Sequence, residues 1–266
     1  MTEKQITKHC DCGVSFQTDA HPGDEWLEVQ ECPTCRAAIE SKMEERQRIA
    51  QEKLDQEKAE RMEAAVSRTF QHIDEETPAR FLSTDTGDKR FNRALWEQVT
   101  KWLPTAEKPW LGLVGEAGAS KTRCAYLRLR QLGEEWTRKH GRPPKFEIVT
   151  GPEFKRLSLD RFSKEEVGTR NWEGSSRVPV SEIASASLRE IKNADILLFD
   201  ELGEKIKPTP AVIEELFALI DHRHAENLVT IWTCNSSPES FCGGWPPEFA
   251  GPIAGRILES STIFKV

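Results

Sequence analysis

The stretch Trp110-Leu111-Gly112-Leu113-Val114-Gly115-Glu116-Ala117-Gly118-Ala119-Ser120-Lys121-Thr122-Arg123 decides how this chain is to be read. Its first five residues form a short apolar run without alternation, the pattern of a parallel strand buried on both faces. The backbone must turn sharply at Gly115, and from Lys121 a helical pattern continues through Leu132. Strand, loop and helix in that order make a phosphate cradle, because loop amides and the positive end of the helix surround phosphate oxygens. Gly115 to Arg123 are therefore the candidate nucleotide contacts. Lys121 reaches the outer phosphates in this reading, and the Thr122 hydroxyl ligates magnesium. Glycine is usual just before such a lysine, and Ser120 in its place restricts the backbone angles of the loop.

A second apolar run, Asp195-Ile196-Leu197-Leu198-Phe199-Asp200-Glu201, brings two carboxylates to its carboxyl end. Ligands of open α/β sheets bind at that end. Asp200 is the candidate magnesium ligand, holding the ion through water, and Glu201 the group that orients and polarises an attacking water. A third run, Leu228 to Cys234, delivers Asn235, whose amide suits the terminal phosphate or the attacking water. Each motif alone has a bland reading: an exposed lysine, a solvated acidic turn, a turn-forming asparagine. Those readings do not explain why the three occur in this order, and binding of ATP with magnesium does. With Phe146 to Thr150 and the final run, strands are expected near 110–115, 146–150, 195–200, 228–235 and 261–266. Their alternation with helical stretches predicts an α/β domain with parallel pairing.

From Thr77-Pro78-Ala79-Arg80-Phe81 onward, the chain resembles a DnaC/IstB-type AAA+ ATPase, the group that contains bacterial helicase loaders. Leu216-Phe217-Ala218-Leu219-Ile220-Asp221-His222-Arg223, followed by the asparagine strand, is part of that resemblance, as is Gly255-Arg256-Ile257-Leu258. The resemblance implies a three-layer P-loop domain with sheet order 5-1-4-3-2 and no helical lid. It makes Asn235 a polar sensor and Arg256 an arginine finger acting on ATP held by a neighbouring subunit, with Arg223 a weaker candidate for a similar role. Self-association through the ATP site follows from it. A replicative DNA helicase and single-stranded DNA are the implied partners, with a helical DNA-contacting insertion between the second and third strands. Ser120, and a run ending at Val266 without a Ser-Tyr-Arg-like tail, imply weak or partner-stimulated turnover. Two other functions share the motifs: a transposition-helper ATPase on duplex DNA, and a barely catalytic nucleotide-responsive adaptor.

Near the start stand His9-Cys10-Asp11-Cys12-Gly13 and Cys32-Pro33-Thr34-Cys35. Two cysteine corners separated by a loop of this length read as a structural zinc site resembling a zinc ribbon. Cys12, Cys32 and Cys35 supply three ligands. The fourth is Cys10 or His9, and the softness of thiolate favours Cys10. Free cytosolic thiols are the alternative reading. Residues 40–70 carry Glu, Lys, Gln and Arg without proline, glycine or a sustained heptad, which predicts a solvated connecting helix. The expected domains are thus 1–39 (zinc module), 40–76 (charged helical linker) and 77–266 (ATPase).

The chain has 266 residues, a formal net charge of −7 and seven cysteines. That charge excludes a global basic field for nucleic acid. Locally, Lys155, Arg156, Arg161, Lys164, Arg170, Arg177, Arg189 and Lys192 surround Phe162 and Trp172, where bases can stack while cations meet phosphates. Nearby glutamates favour a plain solvated surface instead. No apolar run approaches the ~20 residues that cross a bilayer. With no secretory leader read before Cys10, the expected compartment is the reducing cytoplasm.

Overall fold

The computed structural model describes residues 5–19, 32–76, 81, 88, 91–171, 174–203 and 209–266. The chain divides into two compact units, Met1–Arg61 and Met62–Val266.

In the first unit, β1 (Gln5–His9) and β2 (Ser15–Asp19) form an antiparallel hairpin in which His9 faces Ser15. Its turn contains Gly13 at φ +85°, a left-handed value that glycine adopts at little cost. Cys32 precedes helix α1 (Pro33–Glu76), whose first residue is a proline with its ring preset for helix entry. The second cysteine pair therefore sits at a helix start rather than on a second hairpin. Residues 36–61 of α1 are exposed all round, as their charged composition requires.

The second unit continues with α2 (Arg93–Lys101), β3 (Trp110–Val114), α3 (Lys121–His140), β4 (Phe146–Thr150) and α4 (Gly151–Asp160). A ribbon of β5 (Glu166–Asn171) and β6 (Gly174–Pro179) leads to α5 (Val180–Asn193) and β7 (Ile196–Asp200). Then follow α6 (Pro210–Ala225), β8 (Val229–Cys234), α7 (Pro238–Cys242), α8 (Pro247–Ser260) and β9 (Ser261–Lys265). The main sheet has the order β4-β7-β8-β3-β9, and all its pairs are parallel. Counted along the chain, these strands give the expected order 5-1-4-3-2, inside the expected residue ranges.

Side-chain alternation along buried strands splits the core in two. Leu197 and Phe199 join Trp110 and Trp232 on one face, under α4, α5, α6 and α8. Ile196 and Leu198 join Leu111 and Leu113 on the other, under α2 and α3. Helix, sheet and helix thus form three layers. Close packing is tightest at Gly112, where an added Cβ would lie 2.3 Å from Cζ2 of the Trp232 ring. That indole is fixed in turn by its Nε1 donating to Ser261 Oγ at 2.9 Å.

Two expectations are corrected. Between β4 and β7 the insertion is not wholly helical: it contains the antiparallel β5–β6 ribbon. Val167, Thr169 and Val178 favour extended backbone there, and Gly168 and Gly174 disfavour a helix. Trp172 lies outside the described residues, as do the Arg170 side chain and Thr77 to Arg80. Arg223 is fully buried, so it cannot reach a neighbouring subunit. Its guanidinium donates to the carbonyls of Ile191, Lys192 and Ala194, closing the end of α5, and to Val229 O and Thr230 Oγ1. Burial lowers its pKa to about 9. Among the described residues, no helix is long and apolar enough to cross a membrane.

Gly112→Ala should lower unfolding stability by about 1–3 kcal/mol, the usual cost of overpacking a filled core. Urea denaturation measures this, and wild-type stability would show that the Trp232 ring can yield.

Candidate functional site

Three neighbouring strands of the sheet, β7, β8 and β3, end at the same edge. Each delivers one predicted group there. Beyond β3 the chain loops from Gly115, whose N–H donates to Cys234 O at 3.2 Å, and enters α3 at Lys121. Lys121 Nζ folds back into that loop and donates to Gly115 O at 2.6 Å and Glu116 O at 2.7 Å. It also donates to Asn235 Oδ1 at 2.8 Å, just past β8. Thr122 Oγ1 donates to Asp200 Oδ1 at 2.9 Å, at the end of β7. Lys121, Thr122, Asp200 and Asn235 are thus joined directly.

A cleft of about 410 Å³ opens here, lined by Ala117 to Arg123, Glu201, Thr233 and Asn235, with Phe81 and Asp88 also among its walls. Two non-glycine lining residues hold left-handed backbone: Ser120 at φ +64° and Glu201 at φ +57°. For a residue with a Cβ this costs roughly 1–2 kcal/mol. At Ser120, a bond from the Asn92 N–H to Oγ at 3.3 Å offsets about 1 kcal/mol of that cost. At Glu201, the N–H donates to Thr233 Oγ1 at 3.0 Å, which keeps the turn after β7 closed.

Burial pushes the Asp200 carboxyl above its ordinary range, against the opposing effect of hydroxyl donors from Thr233 and Thr122. Thr233 Oγ1 donates at 2.6 Å. The sign of the linkage follows. A carboxyl with a raised folded-state pKa favours folding below its unfolded pKa, and that contribution is lost as pH rises through the folded value. Above that window the buried carboxylate disfavours the folded state, and a bound cation would offset this. An Asp carboxylate beside a hydroxyl is a hard oxygen pair, the donor set that magnesium takes.

Thr233 was not anticipated from sequence. Phe199 pairs with Trp232, so Asp200 and Thr233 come next in parallel register. That register is invisible until the strands are paired. Asp88 likewise had no local signal; it binds Arg123 Nη1 at 2.8 Å, while the Arg123 guanidinium lies 4.4 Å over the Phe91 ring. Arg256 lies away from these groups on α8. It pairs with Asp221 at 2.7 Å and stacks 5.1 Å over Phe217. Cations of the basic stretch are partly matched: Arg156 pairs with Asp160 at 2.9 Å, and Arg161 pairs with Glu215.

In the first unit, the sulfurs of Cys10, Cys12, Cys32 and Cys35 all lie within 4.8 Å of one another. Cys10 belongs to this cluster, whereas His9 Nδ1 meets Ser15 Oγ at 2.8 Å. Hydrogen bonding from the Cys12 backbone lowers the Cys10 thiol to about 6, whereas side-chain bonds with Cys12 and Cys32 raise Cys35 to about 12. Four crowded thiols cannot all ionise without a cation. A zinc ion would resolve the conflict, because all-thiolate tetrahedral coordination suits it.

No protein-family model matches this chain, and no curated protein matches it. Solved structures do. A DnaI structure is 20% identical, aligned over 71% of this chain and 94% of its own, with a TM-score of 0.50. The chain shares the fold of that DnaI structure. A DnaC helicase loader is 18% identical over 67% of this chain and 91% of its own, with a TM-score of 0.43. AMPPCP-bound DnaA from Aquifex aeolicus is 14% identical over 65% of this chain and 44% of its own, with a TM-score of 0.43. The chain thus spans less than half the length of that DnaA chain. Within its cleft, an ammonium, a hydroxyl, two carboxylates and an amide converge on one space of nucleotide size. The loop amides and the α3 N-terminus add positive partial charge.

Elemental analysis of the purified chain should find one zinc per chain, lost in the variant carrying Cys32→Ser and Cys35→Ser. A metal-free wild type with a fully folded first unit would refute the zinc assignment.

Proposed function

We propose that this chain is an ATP-dependent helicase loader: an AAA+ ATPase that engages a replicative DNA helicase and single-stranded DNA during replication, in the cytoplasm. The nucleotide reading rests on one observation above all. Lys121–Asn235 and Thr122–Asp200 bonds draw three separate strand ends around one cleft, and the bland readings of the motifs give no reason for that. Bound ATP would take the place of the Lys121 backbone contacts, with its outer phosphates on Nζ and the loop amides of Glu116 to Lys121. Thr122 and Asp200 would hold magnesium, which neutralises charge on the phosphates. Glu201 is placed to polarise an attacking water, and Asn235 to fix that water or the terminal phosphate.

Arg256 is not among the residues lining its own cleft, and its half-buried guanidinium lies over the Phe217 ring. As an arginine finger it would exchange Asp221 for the phosphates held by a neighbouring subunit. The fold likeness to DnaI, with the cysteine module and the charged helix after it, supports the loader over the transposition helper, which shares the motifs. In the same reading, the cysteine module and the exposed helix after it face the helicase. The β5–β6 ribbon with Phe162 and its cations faces DNA.

ATP turnover with single-stranded DNA tests the shared site. Lys121→Ala and Arg256→Ala should each lose about a hundredfold or more, as removal of a phosphate-stabilising cation does. Mixing the two inactive variants should restore turnover, because one type of interface then has both residues intact. If the mixture stays inactive while the variants still associate, Arg256 does not act in trans.

A further inference from the structure

Ser120 breaks the usual pattern of the phosphate loop, and the structure gives it a specific contact. Its left-handed backbone, φ +64° and ψ 17°, is one that glycine would hold without strain. Its Oγ instead accepts from the N–H of Asn92. Asn92 is itself the cap of α2, its Oδ1 accepting from Leu95 N–H at 3.0 Å. Two more contacts join the same parts of the chain. Asp88 pairs with Arg123 at 2.8 Å, and the Phe81 ring stacks on Tyr126 at 5.7 Å with the planes 7° apart. Phe81 and Asp88 line the cleft together with the loop residues. The loop and this wall are therefore fastened at three levels along α3: Ser120, Arg123 and Tyr126. The Ser120 contact is the one that reaches the loop itself.

We propose that Ser120 is a positioning residue: its hydroxyl ties the phosphate loop to the wall carrying Phe81 and Asp88 and so sets the width of the cleft for the base and ribose of a bound nucleotide. This rests on the nucleotide reading given above. A loop held at a fixed distance from the wall loses less freedom when ligand binds, and that preorganisation appears as affinity. Glycine at this position would relieve the backbone and release the loop together. Stability and affinity should consequently move in opposite directions, which a purely structural serine would not produce.

The test uses the full chain as wild type, Ser120→Gly and Ser120→Ala. Three quantities are read: thermal unfolding without ligand, calorimetric binding of magnesium and AMPPCP, and hydrogen exchange at the Asn92 amide. Ser120→Gly should melt at or above wild type, yet bind about tenfold more weakly, the usual effect of one lost hydrogen bond. Its Asn92 amide should exchange about tenfold faster by the same measure. Ser120→Ala keeps the strained backbone without the bond, so it should melt lower and bind comparably weakly. Three results overturn the proposal: Ser120→Gly binding as tightly as wild type, Ser120→Ala binding as tightly as wild type, or unchanged exchange at Asn92. If wild type itself binds no AMPPCP, the nucleotide reading fails instead, and the exchange data still report the tether.

Discussion

The contact between Thr122 Oγ1 and Asp200 is the constraint on which the remainder of the site depends. Thr122 sits in the first turn of a helix, and Asp200 at the end of a strand two places across the sheet from the one preceding that helix. They meet because β7, β8 and β3 are parallel, in register and buried on both faces. The close approach of Trp232 to Gly112 belongs to the same requirement, since it keeps β8 tight against β3. Burial then gives Asp200 its character. Held among Thr122, Thr233 and the strand ends, its carboxyl is short of solvent and raised in pKa, a state that a divalent cation relieves.

Lys121 spends its donors on two loop carbonyls and the Asn235 amide. A phosphate binding to Lys121 would compete with these bonds, and on the proposed reading it would free the Asn235 oxygen for a new partner. The positive φ values at Ser120 and Glu201 mark where the backbone is bent to aim groups inward. Each is held by an oxygen of another residue or by its own hydroxyl, so the strain is local and compensated.

Much of this was legible in the sequence because buried parallel strands advertise themselves. Unbroken runs such as Ile196 to Phe199 fixed their own places, and the polar residue after each run fell at the ligand-binding edge. The cysteine spacing, with the softness of thiolate favouring Cys10 over His9, pointed to the same four sulfurs that the structure gathers. What failed did so for physical reasons. Arg223 looked available because sequence cannot show that carbonyls of a distant helix end surround it. The ribbon at Glu166–Pro179 was masked by its charge, which suggested function before conformation, although its β-branched residues favoured strands. Thr233 and Asp88 become site residues only through pairing and packing across long sequence separations, and neither carries a local mark.

The most direct measurement is thermal unfolding of wild type and Asp200→Asn, each with and without magnesium and ATP at neutral pH. Asparagine keeps an oxygen for Thr122 and Thr233 but removes the buried charge. The account predicts that the ligand-free variant melts above wild type, and that magnesium with ATP raises the melting temperature of wild type far more than that of the variant. A variant less stable than wild type without ligand, yet equally stabilised by magnesium and ATP, would contradict it: Asp200 would then be a structural carboxylate and the cleft no magnesium–nucleotide site of this kind.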